Sequence, residues 1–138
     1  MFHNAFVKRA VQNDKKLQKM VQEGFVKFLP LKEVLFWISH GSIEYHPADT
    51  IIFYQQHYPL GLHIFTKGAI SVESEKSRRN QPIVLKEPAI LALNHVMDST
   101  VNKYTVRALE QSEIIFIPRA MIQKRMFLKE TAKLKVTR

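Results

Sequence analysis

Leu85-Lys-Glu-Pro-Ala-Ile-Leu-Ala-Leu-Asn-His-Val-Met-Asp-Ser-Thr-Val-Asn-Lys-Tyr-Thr-Val-Arg-Ala108 is the stretch that decides how the rest of the chain reads. It opens as an apolar run, crosses a polar loop without a glycine, and resumes at Thr105 as an alternating strand. On either side, Pro82 to Leu85 reads as a short strand and Glu113 to Pro118 as a last buried one. Further upstream the period is two. Ser42 to His46, Thr50 to Tyr54, Leu62 to Thr66 and Ala69 to Ser74 alternate or are β-branched, and Pro47-Ala48-Asp49 and Lys67-Gly68 punctuate them as turns. Glu75 to Gln81, with Lys76, Arg78 and Arg79, is polar enough to be a solvated hairpin tip.

Beyond the strands the period becomes helical. Phe2, Phe6, Ala10, Leu17, Met20 and Val21 recur at near-helical spacing, and Gly24 is a stop or kink. Phe25 to Ile38 is apolar but broken at Pro30. It reads as a short turn followed by a helix over 31–39, with Trp37 as core packing and Gly41 as the terminator. At the other end, Arg119 to about Lys135 forms a helix with Met121, Ile122, Met126, Phe127 and Leu134 available for one face. This order predicts an α+β fold: an antiparallel β-roll (double-stranded β-helix or jelly-roll) flanked by N-terminal helices and a C-terminal helix. With no repeat or linker, we expect one domain over 1–138, with helices in 1–40, the roll in 42–118 and a basic helix in 119–138.

Composition narrows the chemistry. At 138 residues and 46% hydrophobic, the chain can bury one core without staples. The absence of cysteine excludes disulfides, thiolate metal sites and a thiol nucleophile. No apolar run approaches the roughly 18 to 20 residues that span a bilayer, and no cleavable apolar segment opens the chain, so a cytoplasmic location is expected. The net charge of +9 is uneven: residues 1–22 carry +4, residues 119–138 carry +6, and the strand-rich middle carries −1. A basic groove in the body is therefore not expected, whereas charged helical ends are.

Four collinear segments resemble a known family. Tyr45-His-Pro-Ala-Asp-Thr-Ile-Ile-Phe53 is similar to the strand-turn-strand entry of cyclic-nucleotide-binding domains, the catabolite-activator and kinase-regulatory-subunit type, with Asp49 at the family's turn glycine. Leu62 to Val72 resembles its central hairpin, with Gly68 as the turn glycine. Thr105-Val-Arg-Ala-Leu109 and Ile114 to Arg119 resemble its closing strands and the start of its last helix. The likeness covers about residues 25–128. In that family the segment corresponding to 85–108 is a phosphate-binding cassette that wraps the ligand's charged end.

The resemblance then maps the cassette residue by residue, without a gap, between Leu85 and Thr105-Val106. The family's cassette glycine falls at Ala92, its ribose-binding glutamate at Leu93, its phosphate-pairing arginine at Asn102, and the adjacent Ser/Thr at Lys103. A register slip of three would substitute Ala89 and Ile90 and still supply no carboxylate. Lys103 offers a positive charge, but as a point charge without the planar fork of arginine. Ser99, Thr100 and His95 could donate hydrogen bonds. Ala92, Leu93, Asn102, Lys103 and Thr105 are thus the candidate ligand cassette, and its usual contacts are missing.

Other chemistries find little support in the residues. The six histidines contain no His-x-His pair, so scattered histidines are preferred to a metal site. No Gly-x-Ser-x-Gly elbow or glycine-rich phosphate loop is present, and acidic pairs such as Glu73/Glu75 and Glu110/Glu113 read as solvated faces. The resemblance implies a non-catalytic domain. It also implies that the C-terminal helix mediates dimerisation, for which Met121, Ile122, Met126 and Phe127 suit the apolar face. Lys124, Arg125 and Lys129 would supply a basic one. The 20 residues after Pro118 are too few for the winged helix-turn-helix of the family's transcription factors, so sequence-specific DNA binding is not expected.

The expected function is therefore a non-catalytic regulatory or adaptor module with a degenerate cassette. It would act on a protein partner, with a possible homodimer through the C-terminal helix and no resident cofactor. One alternative is a second-messenger sensor that takes a cyclic nucleotide or another small anion through an atypical cassette. Another is a basic protein that binds a nucleic-acid or membrane surface.

Overall fold

A computed structural model describes residues 15–28, 41–74 and 82–122. The part of the N-terminal periodicity that falls on described residues is α1 (Lys15–Gln22), which buries Leu17 and Met20, whereas Phe2, Phe6 and Ala10 lie outside them. Gly24 ends it at φ 80, a left-handed turn that glycine adopts without strain. Phe25 N–H then donates back to Met20 O at 3.0 Å. The next three residues depart from the expected turn: Val26–Phe28 form a strand, β1. Three residues carry no readable period, and β1 exists because it pairs antiparallel with the distant Ala89–Leu91. Trp37 and the helix expected over 31–39, the hairpin tip 75–81, and residues 123–138 lie outside the described residues.

The remaining strands follow the alternation closely. They are β2 (Ser42–His46), β3 (Ile51–Phe53), β4 (Gly61–Lys67), β5 (Ile70–Glu73), β6 (Ile83–Leu85), β7 (Ala89–Leu91), β8 (Thr105–Ala108) and β9 (Ser112–Pro118). Between β7 and β8 lies a second departure. Leu93–Asp98, expected as loop, is a short helix, α2. The strands form two antiparallel sheets, one in the order β1-β7-β4-β9-β2 and the other β3-β8-β5-β6. This is the expected β-roll.

Side-chain alternation divides the core into two layers. Phe65, Leu91 and Ile114 from the first sheet meet Ile70, Val72, Ile83, Leu85 and Val106 from the second in the roll interior. On the same strands, Leu62, Ile64, Ile90, Ile115 and Ile117 face the other way, where Val96 and Leu93 of α2 and Ile122 cover them. Both faces of the central strands of the first sheet are thus buried, which is why β7 and the middle of β9 read as apolar runs. At the β4–β5 turn, Gly68 has φ 111 and lies so close to Ser112 and the Gln111 backbone that no side chain fits there.

Candidate functional site

Backbone geometry assembles the stretch expected to be the cassette. β7 delivers Ala92 in the left-handed conformation (φ 56, ψ 29) as the N-cap of α2, and Ser99 closes the helix in the same conformation (φ 57, ψ 43). Neither is glycine. Ala92 N–H donates to Phe25 O at 2.6 Å and Asn94 N–H to Gly24 O at 3.4 Å, so the turn after α1 holds the start of α2. Hydrogen bonds from Gln56 N–H to Asn102 O and from Asn102 N–H to His57 O, each 2.9 Å, dock the 55–60 loop on the far end of the cassette. Thr105 Oγ1 accepts from Gln55 N–H at 2.9 Å.

The structure scatters the expected ligand residues among different tasks. Leu93 does not face the roll interior. It packs outward, on the layer beneath α2. Asn102 is buried, with Nδ2 3.5 Å from Tyr54 O and Oδ1 without a partner. Lys103 is exposed and lies 3.9 Å from Glu23 of the α1 turn. The other expected donors are spent internally: His95 Nδ1 is hydrogen-bonded to Thr100 Oγ1 at 2.8 Å, and Ser99 Oγ accepts from Arg119.

What fills the interior instead is Phe25. Its ring meets Tyr104 at 4.7 Å, His95 at 5.8 Å and Phe53 at 6.2 Å, all edge-on. Met20 and Leu17 of α1 join the same cluster. Tyr104 donates to Glu23 Oε2 at 3.3 Å. Burial, and secondarily the charge and hydrogen bond of Glu23, raise the Tyr104 hydroxyl pKa above its ordinary value. Burial lowers the His95 pKa, with Lys103 adding to the effect. The sequence reading missed Phe25, Glu23 and Tyr104. Their signal is tertiary, apart from the apolar character of Phe25 itself.

Of the expected interaction surface, Ile122 is withdrawn: it is 1% exposed and closes the protein's own outer layer. Met121 is 44% exposed. Lys124, Arg125, Met126, Phe127 and Lys129 lie outside the described residues. The acidic groups have structural partners. Glu73 binds Ser71 and Arg107, and Glu113 accepts from Thr66 at 2.6 Å. Among the described residues no group of three or more His, Asp or Glu is placed to hold a metal ion, and no helix is long and apolar enough to cross a membrane. Beside Lys103 there is a cleft of about 310 Å³ whose lining includes Lys19, Glu23, Gln56, Ser74 and Asn102.

The model of the cyclic nucleotide-binding domain family matches residues 43–127. The chain belongs to that family. Cyclic nucleotide-binding domains are regulatory rather than catalytic, and the β-roll described above is their fold. The catabolite activator protein of Thermus thermophilus superposes with a TM-score of 0.55 at 16% identity, over 79% of this chain and 60% of that one. A protein from a cyclic-GMP-dependent signalling pathway that regulates bacterial phytopathogenesis gives 0.62 at 14% identity, over 80% and 97%. The cAMP-bound EAL enzyme Bd1971 gives 0.55 at 22% identity, over 61% of this chain and 23% of the enzyme. This chain thus spans less than two thirds of the activator and about a quarter of the enzyme. No curated protein sequence matches it.

Proposed function

We propose that this chain is a cytoplasmic regulatory or adaptor module that does not hold cyclic nucleotide in its family's manner and acts through contacts with a protein partner. The observation that carries this reading is the state of the roll interior. Phe25, Tyr104, Phe53 and Met20 pack there against the cassette. The positions of the family's carboxylate and guanidinium hold Leu93, turned outward, and Asn102, buried and tied to the 54–57 backbone. A cyclic phosphate entering here would exchange its water shell for apolar rings. It would meet no cation at the arginine position, and desolvating charge without a partner is unfavourable.

The size of the effect follows from the two missing contacts. Each charge-assisted hydrogen bond contributes roughly 1.5–3 kcal/mol, so losing both weakens binding by about two to four orders of magnitude. Isothermal titration of the full chain with cAMP and with cGMP is expected to show no saturable heat up to about 1 mM. Saturable micromolar binding of either nucleotide would overturn the reading. A protein partner is supported less directly, by the regulatory character of the family and by exposed apolar side chains such as Met121, Tyr58 and Leu60.

A further inference from the structure

We propose that β2 is a self-complementary sheet edge through which two copies of this chain pair antiparallel, with Tyr45 on the two-fold axis. This surface is separate from the C-terminal helix. The proposal goes beyond the functional reading above and does not rest on it.

The edges of the two sheets are not alike. β1, β3 and β6 have three residues each. Lys27 sits within β1, and the register of β3 against β8 is broken between Ile51 and Phe53. Short length, lysine and irregular register are the devices that keep a sheet edge from pairing with other chains. β2 uses none of them. It is five residues long and pairs with β9 in unbroken register from Ser42 to His46. Among the described residues no strand pairs with its other side. No lysine or arginine lies between Lys32 and Lys67, although the chain carries 21 of them.

The order of residues 43–47, Ile-Glu-Tyr-His-Pro, selects the occupant. Read antiparallel against itself about Tyr45, the segment sets Glu44 of each copy opposite His46 of the other and Ile43 opposite Pro47. Centring the pair on Glu44 would oppose two carboxylates, which is unfavourable. Strand alternation keeps Ile43 and Tyr45 on one face and Glu44 and His46 on the other. Ile43 is 51% and Tyr45 63% exposed, so the first face has apolar surface left to bury. Aromatic and β-branched pairs across antiparallel strands are stabilising. On the second face, His46 Nε2 already lies 3.2 Å from Glu44 Oε1 of its own strand. Pairing sets two such couples side by side, and each cross-strand neighbour is again an imidazole against a carboxylate. A single pair of five-residue strands falls below the roughly 1,000 Å² of a stable interface, so the dimer is weak and depends on concentration.

The test uses the full chain in sedimentation equilibrium. Reversible dimerisation is expected with a midpoint between roughly 10 μM and 1 mM. Amide hydrogen exchange over the same range should slow within Ser42–His46 as concentration rises and stay unchanged in β6. Tyr45→Lys places two ammonium groups on the axis and should weaken association at least tenfold. His46→Glu opposes carboxylates and should do the same. Adding Glu44→His to that variant restores opposite pairing and should recover the dimer. Val84→Lys, at an exposed position of the β6 edge, should leave association unchanged. A chain that stays monomeric across the range would overturn the proposal, as would β2 exchange that is independent of concentration, which needs no variant to fold. Association that survives Tyr45→Lys would also overturn it and assign the contact to another surface. An equal loss in Val84→Lys, or a double variant no better than His46→Glu alone, would remove the role of residue order in β2 and sink the idea as well.

Discussion

Asp49 and Ala92, neither a glycine, both hold a left-handed backbone, at φ 67 and φ 56. At Asp49 the conformation is fixed by its N–H, which donates to Ala108 O at 2.8 Å and ties the β2–β3 turn to β8. Aspartate tolerates this region, and a β-branched residue does not. Asp49→Val is therefore expected to destabilise the protein by about 1–2 kcal/mol in urea unfolding, whereas Asp49→Gly leaves the midpoint equal or higher. A wild-type midpoint for Asp49→Val would show that the turn does not need that conformation. The side chains of Leu93 and Asn102 belong to the same scale and were readable at once, because a carboxylate or guanidinium is present in a sequence or it is not.

At the scale of elements, α1, its turn and β1 act as a single inner wall of the cassette. β1 pairs with β7, Phe25 O and Gly24 O accept from the start of α2, and Phe25 packs between Tyr104 and His95. Removing a buried phenylalanine ring costs about 3–5 kcal/mol. Phe25→Ala should show that loss, together with faster hydrogen exchange at the Ala92 and Asn94 amides than at those of Val72 and Val106. Phe25→Leu should keep the fold with a smaller effect on the same two amides. Uniform acceleration across all four would mean that this wall and the sheets open as one unit. Neither β1 nor α2 was legible beforehand. β1 has three residues, and α2 has six with a left-handed alanine at its N-cap and no side-chain cap. Both are shorter than their own period can reveal, and both are stabilised by partners far away in the chain.

For the whole molecule, two histidines couple the fold to pH. His63 sits against Phe53 at 5.0 Å and Phe116 at 5.1 Å. Burial, then the nearby His46, lower its pKa from 6.5 to about 4. His95 shifts in the same direction for the same first cause. Their folded-state values lie below the unfolded ones, so the unfolded chain takes up protons first as the pH falls. The contribution of these two histidines should be constant above the ordinary histidine range and decline from about pH 6.5 towards pH 4, with His63 contributing on the order of 3 kcal/mol at most. Unfolding curves across that range check this. His63→Phe should flatten the decline, and an unchanged slope would place the titration elsewhere.

The sequence by itself determined the strand alternation, the turns, the β-roll and the family, because all of these rest on local period and residue order. It also determined that residues 88–106 contain no glutamate and no arginine, since no folding can supply a side chain the chain does not encode. Only the tertiary structure decided what packs around that stretch. Phe25, Met20 and Glu23 lie far along the chain from Lys103 and Tyr104, and nothing local in either segment specifies the other. They meet because β1 finds an edge beside β7 and carries α1 over the cassette. Long-range strand pairing of that kind depends on shape and burial across the whole fold, and residue order alone does not display it.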